Sequence, residues 1–319
     1  MRPGRGREKR WVVREGDGTT VGEIVKRAGE AASALDEGRV FVGRARAKSA
    51  NEMVRIGDEV RIGAATAAAV TPSAQRWTVI WERDGMLACN KPAGMPTVPD
   101  HGGASHSLVA LAAQSTGRTA SDMRVTSRLD REVSGVVIFA TSAEAEDRLR
   151  HARAEGRYAR RYLAIAAQAD QLAASAAAGF WDAPIGAGKD ARHRAAFGAD
   201  AKEARTHWRV VATVPGYALV AVEPQTGRTH QIRVHASHAG APLLGDRDYG
   251  GAARVTLPGG RTVSLARIAL HAARVSVPDE RGESLVAAAP VPAELTRAWT
   301  ELGGAAEAWD MAMSCELDP

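Results

Sequence analysis

In Arg128-Leu129-Asp130-Arg131-Glu132-Val133-Ser134-Gly135 one carboxylate stands between two guanidiniums, directly ahead of the apolar run Val136-Val137-Ile138-Phe139-Ala140. A carboxylate so placed suits the work of a nucleophile or a base, because cations within a few Å favour its ionised form. The apolar run predicts a buried strand, with Gly135 turning into it. If the residues before the turn are extended, side chains alternate, so Arg128 and Asp130 share one face while Leu129 points the other way into the core. Asp130 is then presented at the lip of a rigid sheet. An isolated Arg-x-Asp is more often a surface ion pair, so its weight depends on what accompanies it.

Upstream stands Asn90-Lys91-Pro92-Ala93-Gly94, downstream Arg161-Tyr162-Leu163-Ala164, and later Thr226-Gly227-Arg228-Thr229-His230-Gln231-Ile232-Arg233-Val234-His235. With Pro242-Leu243-Leu244-Gly245-Asp246, Tyr249-Gly250-Gly251 and Leu270-His271-Ala272, this ordered set resembles the RluA-type pseudouridine synthase family over roughly residues 77 to 295. Two positions depart from the pattern: Ser127 stands where the family usually has His, and Val133 where it usually has Thr. Neither removes the carboxylate, but the second takes away a hydroxyl that would bond within the turn.

The resemblance implies isomerisation of uridine to pseudouridine in RNA, with Asp130 as the essential carboxylate. It implies Arg233 as the cation that pairs with that carboxylate, and Arg128 as the side chain that fills the gap left by an everted uridine. Tyr162 matches the tyrosine that stacks on the base and is thought to help remove the C5 proton. A phenol with a pKa of about 10 is a poor base at neutral pH, so packing is the safer expectation. Arg228 and Lys91 are expected to support RNA backbone or phosphate contacts. The reaction involves no net redox change and imports no group, so no cofactor is expected. His230, His235 and His238 suggest a metal cluster only superficially, since no suitably placed Asp, Glu or Cys completes it; no metal is expected. Gly186-Ala187-Gly188-Lys189 imitates a phosphate loop but lacks the leading glycine and the following Ser or Thr, and is expected to be a loop. A Ser-His-Asp hydrolase has no Gly-x-Ser-x-Gly elbow to support it.

The elements that must position these residues are legible in outline. At 319 residues the chain predicts one sizeable core plus an appendage. Residues 1–17 form a basic tail, with Arg2, Arg5, Arg7, Lys9, Arg10 and Arg14 crowded together. Residues 18–63 resemble an S4-like RNA-binding module: Thr20 and Glu23 make a capping box for a helix, and Gly38-Arg39-Val40-Phe41-Val42-Gly43 and Ile56–Ile62 read as strands. Arg39 is its candidate RNA contact. The competing reading is a small α/β appendage that packs rather than binds. Residues 64–76 read as a linker, 77–300 as the catalytic domain and 301–319 as a tail.

Within the catalytic domain Asp84-Gly85 predicts a two-residue hairpin turn. Thr141-Ser142-Ala143-Glu144 predicts a capping box that opens a helix to about Ala154, and Tyr158, Arg160 and Tyr162 are placed on one strand face. The fold class is therefore α+β: a mixed, largely antiparallel sheet with flanking helices, plus the small α/β S4-like N-terminal domain.

A net charge of +5 suits a polyanionic partner. Two cysteines, Cys89 and Cys315, far apart and without zinc-site spacing, point to a reducing compartment. No apolar run is long enough to cross a bilayer, and the expectation is a cytoplasmic monomer. The resemblance implies an RNA partner, with ribosomal RNA, large-subunit first, expected and transfer RNA second. A catalytically inactive RNA-binding or ribosome-assembly factor on the same fold is the alternative.

Overall fold

The structure is a computed structural model and describes residues 9–29, 33–36, 40–43, 45–47, 49–62, 77–99, 106–167, 177–190, 193–258 and 260–317. The chain divides into two compact units, Met1–Ser73 and Ala74–Pro319. The linker expected over 64–76 lies outside the described residues, as do residues 1–8 and Arg39.

The first unit is a four-stranded antiparallel sheet with helices. Its elements are β1 (Lys9–Val12), α1 (Val21–Arg27), α2 (Ser33–Asp36), β2 (Val40–Val42), β3 (Ala45–Arg46) and β4 (Glu59–Ile62), and the strand order is β1-β4-β2-β3. The capping box is present: the Thr20 hydroxyl accepts from the Glu23 N–H, and the Glu23 carboxylate accepts from the Thr20 N–H at 3.1 Å. Val21, Ile24 and Val25 of α1 are buried against Val40, Val60 and Ile62. The expectation of a tail through residue 17 is corrected here, because Lys9–Val12 pairs with β4. Its cause is the apolar content hidden among the charges: Val13 is buried, and the Trp11 indole packs on the core and donates to Asp17 at 3.0 Å.

The second unit begins with β5 (Thr78–Arg83) and β6 (Met86–Lys91), joined through Asp84 and Gly85, whose φ of +53° and +68° are those of a twist-matched hairpin turn. There follow α3 (Leu108–Ser115), β7 (Arg124–Val125), β8 (Ser134–Ala140), α4 (Ala143–Ala154), β9 (Ala159–Ala167) and β10 (Ala178–Trp181). Next come β11 (Ile185–Ala187), β12 (Arg194–Ala196), β13 (Ala199–Lys202), β14 (Thr206–Val214), β15 (Tyr217–Pro224) and α5 (Gln231–His238). The unit ends with β16 (Arg254–Thr256), β17 (Thr262–Ser264), β18 (Leu270–Pro278), β19 (Ser284–Ala288), α6 (Ala293–Glu301) and α7 (Ala308–Ser314).

A 10-stranded sheet organises it, in the order β10-β14-β15-β9-β18-β8-β6-β5, with β19 beside β18 and β7 beside β8. Among the described residues the β8–β18 pairing is its parallel contact and the other ladders are antiparallel, so the sheet is mixed. Every residue of β8 is buried, as a central strand covered on both faces requires. On one face Leu108, Ala112 and Ile232 of α3 and α5 pack with Val137, Phe139, Val220 and Val222. On the other, α4 packs through Leu149 on Met86 and Ile138, while α6 and α7 bring Trp299 and Trp309 onto Leu163 and Ile165.

Four local expectations are corrected. Residues 301–317 are not a tail, since Trp309, Ala312 and Leu317 join the core and the Arg161 guanidinium donates to the Met313 and Cys315 carbonyls. Gly186 and Ala187 lie in strand β11 of a small sheet ordered β12-β11-β13, where a side chain at Gly186 would overlap the Ala199 carbonyl. The cap of α4 is the Ser142 hydroxyl, accepting from the Ala145 N–H at 3.1 Å. Tyr158 packs in the core cluster beneath α4 and Tyr162 in the cluster across the sheet, because Tyr158 precedes the strand.

Candidate active site

Asp130 sits in a turn clamped from three directions. Leu129 is buried, and its N–H and C=O both bond the Thr97 hydroxyl, at 3.1 and 2.8 Å. The Val133 N–H returns to the Asp130 carbonyl at 3.0 Å and closes the turn. Arg131 exchanges bonds with Gly94: the Gly94 N–H donates to the Arg131 carbonyl at 2.8 Å, and Arg131 Nε donates to the Gly94 carbonyl at 2.9 Å. The turn thus stays closed without the hydroxyl missing at Val133, whose side chain is buried in the core instead. Gly135 lies inside β8 with φ +119°, and a Cβ there would overlap the Ala272 carbonyl. Only glycine lets β18 approach so closely behind the carboxylate.

Lys91 has a different place from the one expected. It is fully buried, and its Nζ donates to the carbonyls of Met95, Pro92 and Arg131 at 2.7, 2.9 and 3.3 Å. It therefore braces the Asp130 turn from within rather than meeting phosphate. Burial, helped by the Arg267 charge, pulls its pKa from 10.5 down to about 7.

The cation that meets Asp130 is Arg233, 103 residues further on, and not the adjacent Arg128. Arg233 Nη1 donates to Asp130 Oδ2 at 3.0 Å. Its Nε and Nη2 make a two-bond fork with the buried Asp246 carboxylate, both at 2.8 Å, and Nη2 also reaches Asp248 at 3.0 Å. The guanidinium lies 4.8 Å from the Tyr249 ring centroid. Burial opposes its charge, but the Asp246 and Asp130 carboxylates outweigh that and raise its pKa above the ordinary value. The bidentate fork fixes the plane of the guanidinium, and through it the position of Asp130.

Arg233 is aimed by α5. The turn before this helix is held by Gln231, whose Oε1 accepts from the Thr226 hydroxyl at 2.8 Å and the Arg228 N–H at 2.9 Å, and whose Nε2 donates to the Arg205 carbonyl at 3.0 Å. His230 caps the helix in the left-handed conformation, φ +58°. Its Nε2 is 3.8 Å from Asp130 Oδ2, and its Nδ1 is 2.8 Å from the Tyr249 hydroxyl. His235 is spent on structure, bonding the Thr206 hydroxyl and the Ala183 carbonyl, each at 2.8 Å. Among the described residues no three His, Cys, Asp or Glu side chains are grouped to hold a metal.

These groups line one cleft of about 730 Å³, to which Arg128, Asp130, Tyr162, Arg228, His230 and Arg233 all contribute. Asp130 opens onto it with 28 % of its side chain exposed. Tyr162 forms part of the floor, where burial raises its phenol pKa. Arg128 stands exposed at the rim, without a hydrogen bond or ion pair among the described residues. Arg228 is exposed too, but its Nε is tied to the Glu203 carbonyl at 2.9 Å. Ser127, at the family's histidine position, bonds the Tyr158 hydroxyl at 3.0 Å. Asp246, Asp248, His230 and Tyr249 were not singled out as site residues from the sequence. The motifs that contain His230, Asp246 and Tyr249 were visible, Asp248 lies in none of them, and nothing local reveals that they converge on Arg233.

In sequence and in fold the chain is similar to known proteins of one family. The sequence profile for RNA pseudouridylate synthase matches residues 85–238. An uncharacterized RNA pseudouridine synthase of Bacillus subtilis is 34% identical over 253 residues, covering 77% of this chain and 79% of that protein. The ribosomal large subunit pseudouridine synthase D of Xanthomonas campestris is 34% identical over 234 residues, covering 70% and 69%. In fold, the solved human RNA pseudouridylate synthase domain containing 4 is similar at a TM-score of 0.56 and 21% identity, over 70% of this chain and 92% of that one. By sequence and by fold, the chain belongs to the RluA-type RNA pseudouridine synthase family, whose members are isomerases.

Proposed function

We propose that this protein converts specific uridines of large-subunit ribosomal RNA to pseudouridine, with Asp130 as the essential carboxylate. The observation that carries the reading is the Asp130 carboxylate, open to the cleft and held at 3.0 Å by a buried arginine that is itself clamped by Asp246. Such a group meets the need of the reaction for one oriented carboxylate beside the sugar-base bond. Tyr162 supplies an apolar floor on which the detached base can stack. Arg128, uncommitted at the rim, is suited to fill the space of an everted nucleotide, and Arg228 to meet backbone phosphate. The choice of large-subunit RNA draws support from relatives named as ribosomal large subunit pseudouridine synthase D. Transfer RNA is the second candidate substrate.

The first unit is assigned the role of an S4-like RNA-binding module, which would add phosphate contacts outside the cleft and place the protein on RNA in the cytoplasm. The competing reading, an inactive assembly factor, leaves unexplained why a buried Arg233–Asp246 pair converges on one cleft carboxylate. Tritium release from RNA labelled at uridine C5 tests the assignment. Release by the native protein and none by Asp130→Asn is expected; equal release by both would remove Asp130 from the mechanism, and none by either, with RNA still bound, would favour the assembly factor. Mapping pseudouridines in cells with and without the protein names the substrate.

A further inference from the structure

Asp130 and Arg233 supply one oriented carboxylate beside the sugar-base bond but leave the fate of the C5 proton open. Tyr162 is poorly suited to it, since burial holds its phenol protonated. The inference that follows rests on the isomerase reading above.

We propose that His230 is the catalytic residue that takes the C5 proton, through Nε2. Its ring lines the cleft beside Asp130, with Nε2 3.8 Å from Asp130 Oδ2, too long for a committed hydrogen bond. The other ring nitrogen is held: Nδ1 lies 2.8 Å from the Tyr249 hydroxyl, which also accepts the Arg194 N–H at 2.9 Å. A phenolic oxygen has two lone pairs and can accept from both Arg194 and a protonated Nδ1; in that tautomer, assigned as part of the proposal, Nε2 is a bare lone pair facing the cleft. His230 stands at the N-cap of α5 with φ +58°, a left-handed conformation that His adopts more readily than most residues, and its side chain makes no capping bond to the helix.

The surrounding charges fit the task. Asp130 faces the ring from its turn, Arg233 from α5, and Asp246, Asp248 and Tyr249 from the segment after it. Burial lowers the imidazole pKa below 6.5 against the opposing pull of Asp130, so the ring is an uncharged base at neutral pH. Once C5 has bonded to the ribose C1′, that carbon carries both its hydrogen and the sugar. Nε2 takes the hydrogen as a proton, the C–H electron pair re-forms the C5–C6 double bond, and N1 takes one proton from water. The imidazolium then returns its proton to water, so one proton leaves, one enters, and no co-reactant is consumed. Tyr249 is a positioning residue for the ring.

Turnover on RNA carrying protium or deuterium at uridine C5 tests this, comparing the native protein with His230→Asn, chosen because Asn tolerates positive φ. Expected is a fall in turnover of about 100-fold or more, RNA affinity unchanged, and a deuterium isotope effect larger than the native one because C5 deprotonation has become limiting. A second variant, His230→Gly, suits the same backbone and is expected to regain tritium release when imidazole is added. Native-like turnover in His230→Asn would overturn the proposal. So would a fall with no larger isotope effect and no rescue by imidazole, which would leave His230 as a brace for Asp130. Absence of tritium release by the native protein itself, with RNA still bound, would instead undo the isomerase reading, so the two failures are distinguishable.

Discussion

Arg233 holds three carboxylates with one guanidinium, and the division of labour among them is unequal. Asp246 is 1 % exposed and takes two of the four bonds, whereas Asp248 is 58 % exposed and takes one. The buried fork aims the guanidinium, while the cleft-facing Nη1 is left to Asp130. Asp246→Asn keeps the shape but turns an NH₂ toward a guanidinium that has only donors to offer. A misdirected Arg233 is expected to lower turnover by about 100-fold, since displacements near 1 Å have effects of that order. RNA affinity, set by exposed cations, should be nearly unchanged; steady-state kinetics beside a binding titration checks the split. A parallel loss of affinity would mean that Arg233 serves phosphate instead.

At the scale of elements, the site depends on one parallel contact, in which His271 and Ala272 of β18 face Ser134 and Gly135 of β8. Behind it lies a buried polar chain. Arg267 donates to the Ser134 hydroxyl at 2.8 Å, Ser134 is 2.8 Å from His271 Nδ1, and His271 Nε2 reaches the Ala289 carbonyl at 3.2 Å. Ser134 donating to Nδ1 and Nε2–H donating to the carbonyl fit the neutral ring alone. Burial moves the His271 pKa from 6.5 to about 3. Between those two values the unfolded chain binds a proton that the folded one does not, so stability falls as pH drops through the window, with a slope of up to about 1.4 kcal/mol per pH unit. Urea midpoints of the native protein and His271→Gln should show a shallower acid loss in the variant; parallel curves would remove His271 as the cause. Elements written in short-range chemistry were legible beforehand: the Asp84-Gly85 hairpin, the Thr20–Glu23 box and the helix ending at Ala154. The β11–β13 sheet was not, because its strands are three or four residues long and are held together by pairing with one another.

For the whole molecule, the C-terminal segment shows how charge and length mislead. Residues 301–319 carry no long apolar run, yet Trp309 is 4 % exposed and packs with Leu163, Leu219 and Trp299. Such a residue is a structural member of the catalytic unit although it lies far from the cleft. Trp309→Ala is expected to cost about 3–5 kcal/mol, lowering the melting temperature by roughly 10 °C. Calorimetry checks this, and a change within error would mean that the segment is dispensable. No helix among the described residues is long and apolar enough to cross a membrane.

Order along the chain sufficed to identify the family and the mixed sheet and to point to Asp130 as the carboxylate to test, because the ordered motifs and the alternation of side chains are carried by the covalent sequence. It could not assign Lys91, whose type suggests phosphate and whose burial makes it a brace. Nor could it pick Arg233's clamp, since Asp246, Asp248 and Tyr249 become neighbours of Asp130 only when α5 packs on the sheet and the segment after it comes against Arg233. Burial and long-range pairing are properties of the packed chain, and they decided which charges meet and which are spent on holding the turn.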